Sequence, residues 1–121
     1  MLNETGDDPF ETWIAEALDS LPEVFRERLG SVAIVVEDEA TPDQLASVRA
    51  RGLFGLYQGV PRSAWGADAA AVPSKITIFR GPLTRAHRDP AAQREAVIET
   101  VHHEIAHHFG ISDARLRELG R

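Results

Sequence analysis

His103, Glu104 and His107 stand in the pattern H-E-x-x-H, and the pattern runs on in register to Gly110 and Asp113. On an α-helix each residue advances about 100°, so side chains four apart lie about 40° from one another on one face. Two imidazoles at that spacing can share one metal ion, with the glutamate beside them. Zinc takes nitrogen from histidine and oxygen from aspartate, and a catalytic site keeps its fourth position for water. Asp113 can bring such an oxygen, so the stretch outlines a zinc-hydrolase site. Asp113 also has a competing use. Ser112 or Asp113 can cap a last short helix over Ala114 to Leu119, and capping and ligation compete for one carboxylate.

The helix that must carry these residues is legible in its apolar positions. With Ile105 as the zero of a helical wheel, Val97, Ile98, Val101 and Phe109 fall within about 80° of it. His103 and His107 fall opposite, near about 160° on either side, flanked by Glu104 and Thr100. The helix therefore has an apolar back for the core and a front bearing His-Glu-His. His102 and His108 fall on the shoulders of the apolar stripe and are read as packed or hydrogen-bonded structural histidines. Gly110 follows the last apolar residue, where a left-handed turn ends many helices. Asp89-Pro90 starts this helix.

Upstream, Asp8-Pro9 starts a first helix, with Trp13, Ile14, Ala17, Leu18 and Leu21 at helical spacing. Residues 1–8 are expected to fray. Pro22 to Leu29 continues as a second short helix, and Gly30 ends it. Ser31 to Glu37 is β-branched and reads as a buried strand. Thr41-Pro42 opens a short helix to Arg49 or Arg51. Leu53 to Val60 reads as a second strand loosened by its glycines. Residues 61–73 form a loop of small residues bracketed by prolines, long enough to suggest a function. Lys75 to Arg80 is a third strand, stopped by Gly81-Pro82.

Composition bounds the rest. The chain has 121 residues, 43% of them apolar, which suits a single globular domain over 1–121. There is no cysteine, so any metal must use His, Asp or Glu. No apolar run approaches a membrane span, and the first residues are acidic, unlike a signal peptide. A cytoplasmic location with no membrane partner is the expectation. The net charge of −6 disfavours nucleic acid as a partner. Residues 1 to 29 carry eight acids against Arg26 and Arg28, and Lys75 is the sole lysine.

Across His103-Glu104-x-x-His107-x-x-Gly110-x-x-Asp113 the chain resembles the zincin metallopeptidases, with aspartate where the metzincin motif has a third histidine. More closely it resembles the small bacterial minimal zincins. That likeness extends through Gly59-Val60-Pro61, through Lys75-Ile76-Thr77-Ile78-Phe79-Arg80-Gly81-Pro82-Leu83 and through Val101 to Ile111. It covers most of the chain from about residue 31. The resemblance implies an α+β, zincin-like (mini-zincin) fold, with a small mixed sheet of about three strands packed on the active-site helix and flanking helices. It implies zinc (Zn2+) held by His103, His107 and Asp113, with Glu104 as general base in peptide-bond hydrolysis. Metzincins continue to a methionine-containing turn; here eight residues follow Asp113 and the sole methionine is Met1. The expected substrate is accordingly a short peptide or flexible protein segment. The alternative is a metal-binding interaction or structural module of zincin fold without strong catalysis.

Further expectations follow for the cleft. Substrate should lie extended along an edge strand, with Lys75 to Arg80 the candidate edge. Tyr57, His87 and Arg85 are candidates to stabilise an oxyanion. Trp65 is a candidate pocket wall. Glu99 and Asp89 are candidates to hold the far nitrogens of ligating imidazoles.

Overall fold

The computed structural model describes residues 8–29, 32–48, 53–59 and 74–119, without the side chains of residues 47, 48, 113, 117 and 119. The 61–73 loop, with Trp65, lies outside the described residues, as do Val60, Pro61 and residues 1–7.

Each of the three helix starts read from an Asp-Pro or Thr-Pro pair forms as a side-chain cap. Helix α1 (Pro9–Asp19) begins where Asp8 accepts from the Phe10 N–H at 3.0 Å. A short helix α2 (Glu23–Arg28) follows Pro22, and strand β1 (Ala33–Glu37) comes next. Helix α3 (Pro42–Val48) opens with a reciprocal pair: Gln44 N–H donates to Thr41 Oγ1 at 3.1 Å, and Thr41 N–H donates to Gln44 Oε1 at 2.8 Å. Strands β2 (Gly55–Gln58) and β3 (Lys75–Phe79) complete the strands among the described residues. β3 is one residue shorter than its sequence signal because Arg80 opens the next helix, and the Val60 end of the β2 signal lies outside the described residues.

The sheet order is β1-β3-β2, with β1 parallel and β2 antiparallel to β3. The Lys75 to Arg80 segment is therefore the centre of the sheet and not its edge. Sequence order suggested an edge because this strand directly precedes the site helix; in space β3 is flanked on both sides, by β1 and β2. Side chains alternate across the pleat. Ile34, Val36, Tyr57, Ile76 and Ile78 join one core with the helices. Thr77 and Leu56, on the other face, are buried as well.

Arg80 does not extend β3. It opens helix α4 (Arg80–Ala86), which takes in the Gly81-Pro82 pair read from the sequence as the end of the strand. Proline is tolerated in a first helical turn because the N–H it lacks has no partner there. Arg80 itself pairs with Asp8 and Asp38 and lies over the Phe10 ring, 5.5 Å from its centroid. It thereby ties the start of α1 to the segment after β1.

Helix α5 (Pro90–Phe109) is the element the rest packs on. Asp89 caps it by accepting from the Ala92 N–H at 3.2 Å. Val97, Val101 and Ile105 are fully buried, as the apolar wheel requires. They meet Phe10, Ile14 and Ala17 of α1 on one side and Ile76 and Ile78 of the sheet on the other. The Phe109 ring meets Phe25 of α2, with centroids 4.9 Å apart. Helices α1 and α5 thus form one layer over the three-stranded sheet, a two-layer α+β domain. Gly110 ends α5 in the left-handed conformation, at φ 70° and ψ 31°. The Gly110 N–H donates to the His107 carbonyl at 3.0 Å and the Ile111 N–H to the Ala106 carbonyl at 2.9 Å. That pair of bonds reverses the chain into helix α6 (Asp113–Leu119).

Candidate metal centre

The front of α5 presents three of the expected residues together. One donor atom each from His103, Glu104 and His107 lies within 4.8 Å of the others. The two imidazole centroids are 5.1 Å apart. Glu104 sits between them, its Oε1 3.4 Å from His107 Nδ1 and its Oε2 3.9 Å from His103 Nε2. Burial separates their characters: the histidine side chains are 51% and 60% exposed, whereas that of Glu104 is 8% exposed.

Strand β2 causes that difference. Gly55 brings the strand so close to α5 that an added Cβ would meet Thr100 Cγ2 at 2.6 Å and Glu104 Cγ at 3.3 Å. The glycine read from sequence as loosening the strand is what lets it sit on the site helix. The Tyr57 main-chain N–H donates to the Glu104 carboxylate. Burial pushes the Glu104 carboxyl above its usual range, against the opposing pull of His103, His107 and that N–H.

The shoulder histidines hold the helix in place. His102 Nε2 donates to the Ala17 carbonyl at 2.9 Å and lies 3.1 Å from Ser20 Oγ, tying α5 to the end of α1. Buried His108 shares a hydrogen bond from Nδ1 to the Tyr57 hydroxyl at 3.1 Å.

The remaining expectations divide. Asp113 opens α6, and its side chain lies outside the described residues. The cap of α6 falls to Ser112, whose Oγ accepts from the Arg115 N–H at 3.0 Å. Tyr57 is not open as an oxyanion donor, since its hydroxyl also meets Ser74 Oγ at 3.1 Å. His87 Nδ1 bonds the Leu83 carbonyl at 3.1 Å, and Arg85 is engaged by Glu39 at 2.6 Å. Asp89 caps the far end of α5, about 20 Å from His103 along the helix. Glu99, one turn before His103, lines the same cleft as His103 and Glu104 without bonding to either. What sequence reasoning missed is the part played by Gly55 and the Tyr57 N–H. Gly55 was visible as a strand glycine, a sign of close backbone approach.

Two solvent-facing imidazoles with a buried carboxylate between them, all on one helix face, fit a divalent metal ion by donor type and spacing. Set on a helix over a small mixed sheet, they define a zincin-type domain. The chain belongs to the zincin-like metallopeptidase family, whose model matches residues 29–121. It is also 35% identical over 79 residues to a DNA ligase of Nitratidesulfovibrio vulgaris, a match covering 64% of this chain and 10% of that protein. The chain thus spans about a tenth of that relative's length. Among the described residues, no helix is long and apolar enough to cross a membrane.

Proposed function

We propose that the protein is a zinc-dependent peptidase acting on short or flexible peptide segments. His103, His107 and Asp113 hold the ion and Glu104 is the general base. The observation that carries this reading is the buried Glu104 carboxylate, set between two exposed imidazoles and held by a main-chain N–H. When bound, the metal supplies Lewis-acid activation of water and of the scissile carbonyl. The carboxylate of Glu104 accepts the proton of the attacking water and returns it to the leaving amine. Its fixed position favours that role over direct ligation. The choice of Asp113 as third ligand is supported by Ser112, which takes over the capping duty that would otherwise compete for the carboxylate.

The substrate strand is reassigned from β3 to β2. The Phe54 carbonyl accepts from the Phe79 N–H at 2.9 Å, so residues 54, 56 and 58 direct their main-chain groups toward β3. Gly55 and Tyr57 direct theirs outward, which is how the Tyr57 N–H reaches Glu104. An extended peptide pairing with Gly55 on this edge passes directly beside Glu104.

The test joins metal analysis to hydrolysis. Purified protein should carry about one zinc per chain, and His103→Ala should lose it. Glu104→Gln should keep the zinc and lose cleavage of flexible peptides by at least about a hundredfold. Cleavage that survives Glu104→Gln would refute the base assignment. Zinc bound with no peptide cleaved by the wild type would leave a metal-binding module.

A further inference from the structure

Beside Glu104, toward the N-terminal half of α5, lies a cleft of about 400 Å³. That volume is at the low end for small-ligand sites and ample for one long side chain. Leu53 and Phe54 form one wall and Glu99 and Thr100 the other, and the cleft runs up to His103 and Glu104. The Phe54 ring is 41% exposed, one of two large apolar side chains so exposed among the described residues. Its ring stands against His87, with centroids 5.6 Å apart, which holds it at the rim.

Glu99 is the chemically unspent group of this cleft. Its carboxylate has no hydrogen-bond or ion-pair partner among the described residues. The arginines that are paired there are spent elsewhere. Arg94 is held by Glu16 and Glu95, Arg80 by Asp8 and Asp38, Arg85 by Glu39, and Arg115 by Glu118. An apolar wall with an exposed aromatic ring and an exposed carboxylate one turn from the reacting groups complements one kind of side chain. It must carry a long aliphatic stem and end in a cation.

The geometry points to a specificity site: the cleft receives a lysine or arginine side chain of the substrate next to the scissile bond. The stem lies against Leu53 and Phe54, and the charged head meets Glu99. This rests on the peptidase reading given above and adds the substrate class to it. Glu99 touches the substrate side chain and takes no part in bond cleavage. Its contribution is discrimination between substrates, through attraction of cations and repulsion of acids.

The experiment uses alanine-rich hexapeptides carrying arginine, norleucine or glutamate at each interior position in turn. Binding of a fluorescent version to zinc-loaded Glu104→Gln protein is read by anisotropy, and cleavage by the wild type is read in parallel. At one position the arginine peptide should bind about threefold tighter than the norleucine peptide and more weakly still for glutamate, the scale of an exposed ion pair. Glu99→Gln should abolish the arginine preference, and Glu99→Lys should invert the order. Glu99 is exposed, so both variants should melt with the parent protein, which circular dichroism checks. Charge-independent binding, or no binding by any of the peptides, overturns the inference. Cleavage with no effect of Glu99 sinks the specificity site and leaves the peptidase. Glu99-dependent binding with no cleavage sinks the peptidase and leaves the site.

Discussion

Replacing Gly55 by alanine tests whether strand β2 seats on the site helix by close approach. The new Cβ would stand 2.6 Å from Thr100 Cγ2 and 3.3 Å from both Glu104 Cγ and the Thr77 carbonyl oxygen. Carbon atoms in contact rest about 3.5–4.0 Å apart, so strand or helix must yield by about 1 Å. Thr100 cannot swing its methyl away freely, because its hydroxyl donates to the Ala96 carbonyl at 2.7 Å in a buried setting. Overpacking of this kind costs about 1–3 kcal/mol, and about 2 kcal/mol is expected here. Thr100→Ser removes Cγ2 and keeps the hydroxyl on Ala96; the lost methyl costs about 1 kcal/mol. In the double variant the alanine Cβ enters the space of that methyl. The summed cost of about 3 kcal/mol should then fall to about 1 kcal/mol, a coupling of about 2 kcal/mol. The assay is urea unfolding of chelator-treated protein followed by far-ultraviolet circular dichroism, so that metal binding does not mask the difference. Additivity within about 0.5 kcal/mol would refute the close-approach argument.

Two further predictions concern the helix itself. Ile105→Ala opens a void beneath the metal face at a fully buried position and should cost about 2–5 kcal/mol by the same assay. A cost below about 1 kcal/mol would mean that α5 is not the packing centre. Gly110→Ala forces a Cβ into the left-handed conformation at φ 70° and should cost about 1–2 kcal/mol while weakening zinc binding in competition with a chromogenic chelator. Gly110→Asn should be milder on both readouts, since asparagine tolerates that conformation.

The site helix was legible because two independent codes agree on it. The H-E-x-x-H spacing and the Val97, Val101, Ile105 stripe each define a helix face, and the two faces are opposite. Three D/T-P pairs gave three helix starts, because a side-chain cap and a proline act locally, within one turn. Sheet order was not legible in the same way. Nothing in Lys75 to Phe79 states that β1 and β2 flank it, since strand adjacency depends on contacts far apart in sequence. Helix α4 was hidden by Gly81-Pro82, which punctuates as a stop in most contexts and here occupies a first helical turn. The roles considered for Asp89 and Arg85 failed for a related reason. Each is spent on a partner, a helix cap in one case and Glu39 in the other, that residue type alone cannot announce.

The structure also accounts for why Glu104 differs from its neighbours on the same helix face. All three side chains leave α5 on its polar side, yet only Glu104 is covered. The cover is β2, and it lies close because residue 55 has no side chain. Once covered, a carboxylate needs a donor, since burying its charge without one is costly. The outward main-chain N–H of Tyr57, two residues further along the same edge, supplies it. The same residue then reaches with its hydroxyl to His108, one turn past Glu104. A strand of four residues thereby fixes the helix at three successive points: Thr100 by contact, Glu104 by its main chain and His108 by its side chain. The imidazoles of His103 and His107 escape this cover, and half or more of each side chain is exposed. On the proposed peptidase reading, rigidity falls on the group that would move a proton and exposure on the groups that would capture the metal.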